Sequence, residues 1–147
     1  MTAPILASSC ARAATAAEAR FRIDRPIAGR SARVVALDEA AAAVVARVAE
    51  LPWGASRFFA DPAAFSDDPG LDDADVAIMV GTAAADGETA AAIARACAEG
   101  GIMTAGLVLG DPLAVGGAVA ALRPYARVLM VTEDEDDVAA VLTALRA

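Results

Sequence analysis

The stretch that decides the fold is residues 75–111, DVAIMVGTAAADGETAAAIARACAEGGIMTAGLVLGD. After Asp75, the residues Val76, Ala77, Ile78, Met79 and Val80 follow without alternation. A short continuous apolar run of this kind suits a strand buried on both faces, as in a parallel sheet. Gly81 is expected to stop it. Asp86 is a good N-cap, and Thr89, Ile93 and Cys97 then recur at helical spacing. Gly100-Gly101 ends the helix, where a positive φ costs glycine little. Residues 102–109 form the second apolar run. The whole reads as one βαβ unit.

The segments on either side extend the alternation. Upstream, residues 32–37 (ARVVAL) make a core strand, and Asp38 caps a helix reaching about Leu51, with Val44, Val45, Val48 and Leu51 as its stripe. Pro52 and Gly54 break it. Residues 56–60 (SRFFA) make a short strand. Asp61-Pro62 is a cap followed by proline at the first helical position. Residues 66–75 (SDDPGLDDAD) read as an exposed acidic loop.

Downstream, Asp111-Pro112 repeats the cap-plus-proline device. Leu113, Val115, Val119 and Leu122 line the helix that follows, and Pro124 closes it. Residues 126–131 (ARVLMV) make another strand. Five acids, Glu133 to Asp137, precede a last helix, where the macrodipole favours them. Val138, Val141, Leu142 and Leu145 form its stripe. Near the start, residues 19–24 (ARFRID) alternate as a half-exposed strand does, and residues 25–31 turn. Residues 1–18 are expected to be an arm, and residues 19–147 one domain. The resulting class is α/β: a three-layer, Rossmann-like, open and mostly parallel sheet with helices on both faces.

Composition excludes several kinds of chemistry. The 147 residues contain no Lys, His, Asn or Gln. That removes His-based acid–base work, Schiff-base and Walker lysines, and His-ligated metals. The net charge of −8 argues against nucleic acid, which needs phosphate-neutralising cations. No apolar run reaches the roughly 18 residues of a membrane helix. The N-terminus lacks the basic start of a secretory signal. A bacterial cytosolic location follows as the expectation. Cys97 suits a small buried apolar residue better than a nucleophile.

In doubly wound folds ligands bind off the carboxyl ends of the strands. The candidate ligand-binding residues are therefore Asp38, Gly81, Thr82, Asp86, Gly87, Thr89 and Asp111. The loop 81–89 is the best of these, because small residues admit a ligand and a helix N-terminus offers N–H groups. Asp86 and Glu88 stand where a phosphate would sit. A like charge about 4 Å away costs about 4 kcal/mol at an effective dielectric near 20. A phosphorylated ligand would thus need Mg²⁺ to bridge it. The plainer reading is that each carboxylate caps the helix after it. Residues 37–43 carry no glycine, so the dinucleotide fingerprint is absent. No cofactor is expected on the residues alone.

ARVVAL with its helix, GASRFFADPAAF, LDDADVAIMVGT, TAAAIARACAEGGIMTAGLVLGDP and YARVLMVTEDEDDVAAVL together resemble the GTP-binding domain of the tubulin/FtsZ family. The resemblance implies a Rossmann-like fold and a nucleotide-binding ancestry. Asp38-Glu39 replaces that family's glycine-rich first loop. Its GGGTGTG signature is reduced to Gly81-Thr82, alanines and Asp86. The expected function is therefore a non-catalytic binding or regulatory domain. It would act through a protein partner or small ligand, and self-association is expected from the apolar composition. The alternatives are a Mg²⁺-dependent binder or enzyme for a nucleotide or sugar phosphate, and a structural subunit of a larger assembly.

Overall fold

The computed structural model describes residues 29–147. The predicted arm, the strand at 19–24 and most of the turn after it lie outside the described residues. Five strands form one parallel sheet in the order β2-β1-β3-β4-β5. They are β1 (Ala32–Ala36), β2 (Arg57–Phe59), β3 (Val76–Thr82), β4 (Met103–Leu109) and β5 (Val128–Thr132). The helices are α1 (Glu39–Ala49), α2 (Pro62–Ser66), α3 (Gly87–Glu99), α4 (Gly116–Leu122) and α5 (Asp136–Ala144). This is one of the two common doubly wound orders, and its direction reverses once, between β1 and β3.

Each central strand is apolar throughout because both its faces are covered. Val34, Ile78, Val80 and Leu107 face α1 and α5, which contribute Val44, Val45, Val48, Val138 and Leu142. Val35, Ala77, Met79 and Val108 face α2, α3 and α4, which contribute Phe65, Ile93, Cys97, Ala118 and Leu122. Gly106 in β4 lets the second layer close down. A Cβ there would meet Leu129 Cδ1 at 2.7 Å and Leu122 Cδ1 at 3.1 Å. Four aromatic residues pack as two pairs: the Trp53 ring lies 6.1 Å from that of Phe58, and Phe59 meets Phe65 edge-on at 5.7 Å. Trp53 Nε1 donates to the Val48 carbonyl at 2.7 Å, which ties the end of α1 to the segment after it.

Several expectations are corrected. β3 continues through Gly81 and Thr82, which register with Val108 and Leu109 of β4. Gly81 does not break the strand, because its partner strand is long enough to hold it. Leu51 is 49% exposed, since α1 has ended two residues earlier. Leu113 is 95% exposed: residues 112–114 form a turn, and α4 begins only at Gly116. Asp111 therefore holds that turn, accepting from the Leu113 N–H at 2.9 Å, and does not cap a helix. The acidic loop 66–75 is not exposed throughout. Asp68 is buried, and a short 3₁₀ turn, Leu71–Asp73, follows it.

Candidate functional site

Asp38 follows β1 at the point where the strand order reverses. Both its carboxylate oxygens are engaged. Oδ1 accepts from the Ala41 N–H at 2.9 Å and so caps α1. Oδ2 accepts from the Thr82 N–H, across the crevice at the end of β3, at 2.7 Å. Just below, the Leu37 N–H donates to the Val80 carbonyl at 2.8 Å. A Cβ on Gly81 would already stand 3.2 Å from Leu37 Cδ1. The two strand ends are thus joined by backbone, side chain and carboxylate together. The anion that N–H groups at this mouth attract is the protein's own Asp38.

The loop 82–89 closes on itself in the same way. Thr82 Oγ1 accepts from the Ala84 N–H at 3.2 Å. Asp86 Oδ2 accepts from the Thr89 N–H at 3.2 Å and from its hydroxyl at 2.5 Å. These bonds from Thr89 hold the Asp86 carboxyl below its usual pKa, with burial opposing weakly. Asp86 is therefore ionised at neutral pH and caps α3. Gly87 is the first residue of α3, and an added Cβ would find only ordinary contact with Ala121 at 3.8 Å. Thr89 and Asp61 border a groove of about 610 Å³ between α2 and α3, with Pro62, Ser66 and Ile93. At β5, Thr132 Oγ1 donates to Asp137 and accepts from the Asp134 N–H at 3.1 Å.

The seven predicted residues fall at the carboxyl end of the sheet but do not converge. Asp38 and Thr82 meet across the crevice; Asp86, Gly87 and Thr89 make one cap; Asp111 holds a separate turn. Among the described residues, no three Cys, Asp or Glu side chains stand where they could share a metal ion.

Sequence reasoning missed a charged cluster at the opposite end. Arg33, in β1, and Asp68 are both buried. Arg33 Nε donates to Asp68 Oδ2 at 2.7 Å, and Arg57 Nη1 donates to Asp68 Oδ1 at 2.8 Å. Arg33 also donates to Ser31 Oγ at 2.8 Å and to the Gly70 carbonyl at 3.2 Å. A Cβ on Gly70 would lie 2.9 Å from Arg33 Nη2, so a larger residue there would push on the guanidinium. Burial by itself raises the Asp68 pKa. The Arg33 hydrogen bond, the Gly70 N–H and the charges of Arg57 and Arg33 outweigh it and bring the pKa below the ordinary value. The signal was present: an arginine inside ARVVAL needs a counter-ion, and the acidic loop at 66–75 is rich in them. This cluster joins the starts of β1 and β2 to the loop before β3, away from the mouth, and is structural.

Cys97 lines a cleft of about 210 Å³ with Phe65, Leu71, Ile93 and Ile102. Burial pushes its thiol up to about 11.

Neither the family models nor the curated proteins compared with this chain match it.

Proposed function

We propose that the chain is a non-catalytic binding domain that acts by association with a protein, a second copy included. The observation that carries this reading is the Asp38 carboxylate lodged between Ala41 and Thr82 at the reversal point. In doubly wound folds that crevice is the usual ligand position. Here a fixed anion stands in it and takes up two of its N–H donors, those of Ala41 and Thr82. A phosphate entering there would have to displace a carboxylate that also caps α1. The absence of Lys and His from the sequence leaves no ammonium or imidazole to assist.

A groove between α2 and α3 supports a second reading, a small-ligand binder. Thr89, Asp61 and Ser66 give it polar rims over an apolar floor at Ile93. Within this reading a nucleotide or sugar phosphate would need Mg²⁺ to offset Asp61 and Asp86.

Thermal-shift screening against nucleotides and sugar phosphates, with and without Mg²⁺, separates the two. The binding-domain reading expects no stabilisation by any of them. Stabilisation that needs Mg²⁺ and disappears in Asp86→Ala would overturn it in favour of the second.

A further inference from the structure

We infer that β5 is the interface, and that its occupant is β5 of a second copy, paired antiparallel about a two-fold centred on Met130. The inference rests on the association reading above and specifies its surface.

The two edges of the sheet are not alike. β2 has three residues, starts with a charged Arg57, and is followed closely by Pro62. Short, charged, proline-flanked edges resist pairing. β5 has five residues, Val-Leu-Met-Val-Thr, with no charge, proline or glycine. Among the described residues nothing pairs with its outer side. Leu129, Met130 and Val131 are half-buried against the two core layers, and what stays open among the described residues is the edge itself. α4 sends Ala118 and Leu122 into the second core layer, and α5 sends Val138 and Leu142 into the first, beside β1, β3 and β4. Val128 is 39% exposed. A trough of about 660 Å³ along α4, lined by Pro112, Val119, Ala120 and Arg123, reaches the strand at Val131.

Charge selects the partner and the register. The strand is bracketed by Arg127 before it and Glu133 after it, both exposed. Neither has an ion-pair partner among the described residues. An antiparallel pair centred on Met130 sets Arg127 opposite Glu133 of the second copy, and Glu133 opposite its Arg127. Between them Leu129 meets Val131 and Val128 meets Thr132, apolar or uncharged pairs throughout. A register centred on a residue pairs odd positions with odd. The outward-pointing N–H and C=O groups, which alternate along an edge strand, therefore meet their counterparts. A parallel arrangement would not close about a two-fold and would set like charges together. The result is one continuous sheet across two molecules.

The test uses the full chain in sedimentation velocity over a range of concentrations, with Arg127→Glu, Glu133→Arg and the double variant. Each single reversal faces like charges at both ends of the ladder. The expected result is dissociation about tenfold easier for either single variant, and wild-type association restored in the double. Hydrogen exchange should show protection of alternate β5 amides rising with protein concentration. A dimer indifferent to both reversals would overturn this interface while leaving association itself intact. A monomer whose β5 amides are protected at every dilution would overturn it too, and would give the edge to residues 1–28 of the same molecule. A monomer with unprotected β5 amides would leave the strand without an occupant and end the proposal. Ligand screening bears on the binding-domain reading separately, so either can fail without the other.

Discussion

Asp38 uses both carboxylate oxygens, and that makes it unlike the other caps. Asp61 caps α2 with one oxygen, accepting from the Ala64 N–H at 2.9 Å. Asparagine keeps one acceptor but brings an NH₂ group. At position 61 that exchange should be nearly neutral. At position 38 the NH₂ would face the Thr82 N–H, donor against donor. Asp38→Asn should therefore cost about 1–3 kcal/mol in urea unfolding, where Asp61→Asn costs a few tenths. Asp68 is the other decisive residue. Removing it leaves the buried Arg33 without its counter-ion, with only Ser31 Oγ and backbone carbonyls to accept from it, and Asp68→Ala should cost about 3–5 kcal/mol. Its pKa is lowered in the folded protein. The carboxylate thus contributes stability that is present above the ordinary Asp value and is lost as pH falls through the folded one. The stability gap between wild type and Asp68→Ala should hold from neutral pH to about pH 5 and narrow below it. Denaturant titrations across that range measure it. A gap that widened in acid would mean that Asp68 is not the paired anion. Cys97, with its thiol near 11 and its side chain buried, should resist alkylation at pH 8 in the folded chain and react once denatured. Peptide mapping reads this directly.

The elements differ in what holds them. α1 and α3 each bury four residues and begin on a side-chain cap. α5 buries two, Val138 and Leu142, and its N-cap Glu135 makes no side-chain cap bond. What joins α5 to α1 at the surface is the Arg47–Glu135 pair, more than half exposed on both sides. Exposed pairs contribute at most about 1 kcal/mol. Arg47→Ala should lower stability by less than about 1 kcal/mol. α5 amides should also exchange faster than those of α3, because less apolar contact holds them. Equal protection of the two helices would show that the five acids contribute more than helix-dipole compensation. Leu113 shows how an element boundary misleads. The Asp-Pro pair at 111–112 is chemically the same as the pair at 61–62, yet only the latter opens directly into a helix. At 61–62 Phe65 anchors the first turn in the core. At 111–112 the first residue that reaches the core is Val115, so the helix waits for it.

Among the described residues the sheet presents a mouth tied by its own carboxylates and an unpaired edge at β5. The mouth carboxylates satisfy backbone donors of their own chain, and the uncharged β5 edge has backbone groups to offer. A partner that binds the folded state stabilises it by mass action. If the partner is a second copy, the melting temperature should rise as protein concentration rises, and calorimetry at several concentrations tests this. A melting temperature independent of concentration would speak against self-association. The net charge of −8 opposes it as well, so the effect should be clearer at physiological ionic strength than in dilute buffer.

The class of fold was legible without coordinates. The apolar run 76–80 and the mostly apolar run 102–109 suit burial on both faces, and glycine and Asp-Pro punctuation separates them from helices. These are local consequences of hydrophobicity and backbone sterics, so neighbouring residues suffice to read them. Most capping residues, among them Asp38, Asp61 and Asp86, were legible for the same reason. Strand order, the Thr82 contact of Asp38, the burial of Asp68 and the unequal edges were not. Each depends on groups distant in the chain: Asp38 and Thr82 are 44 positions apart, and Arg33 and Asp68 are 35 apart. Whether a carboxylate greets a ligand or a backbone amide is decided by what the packed sheet brings beside it, and only the tertiary structure brought Thr82 to Asp38.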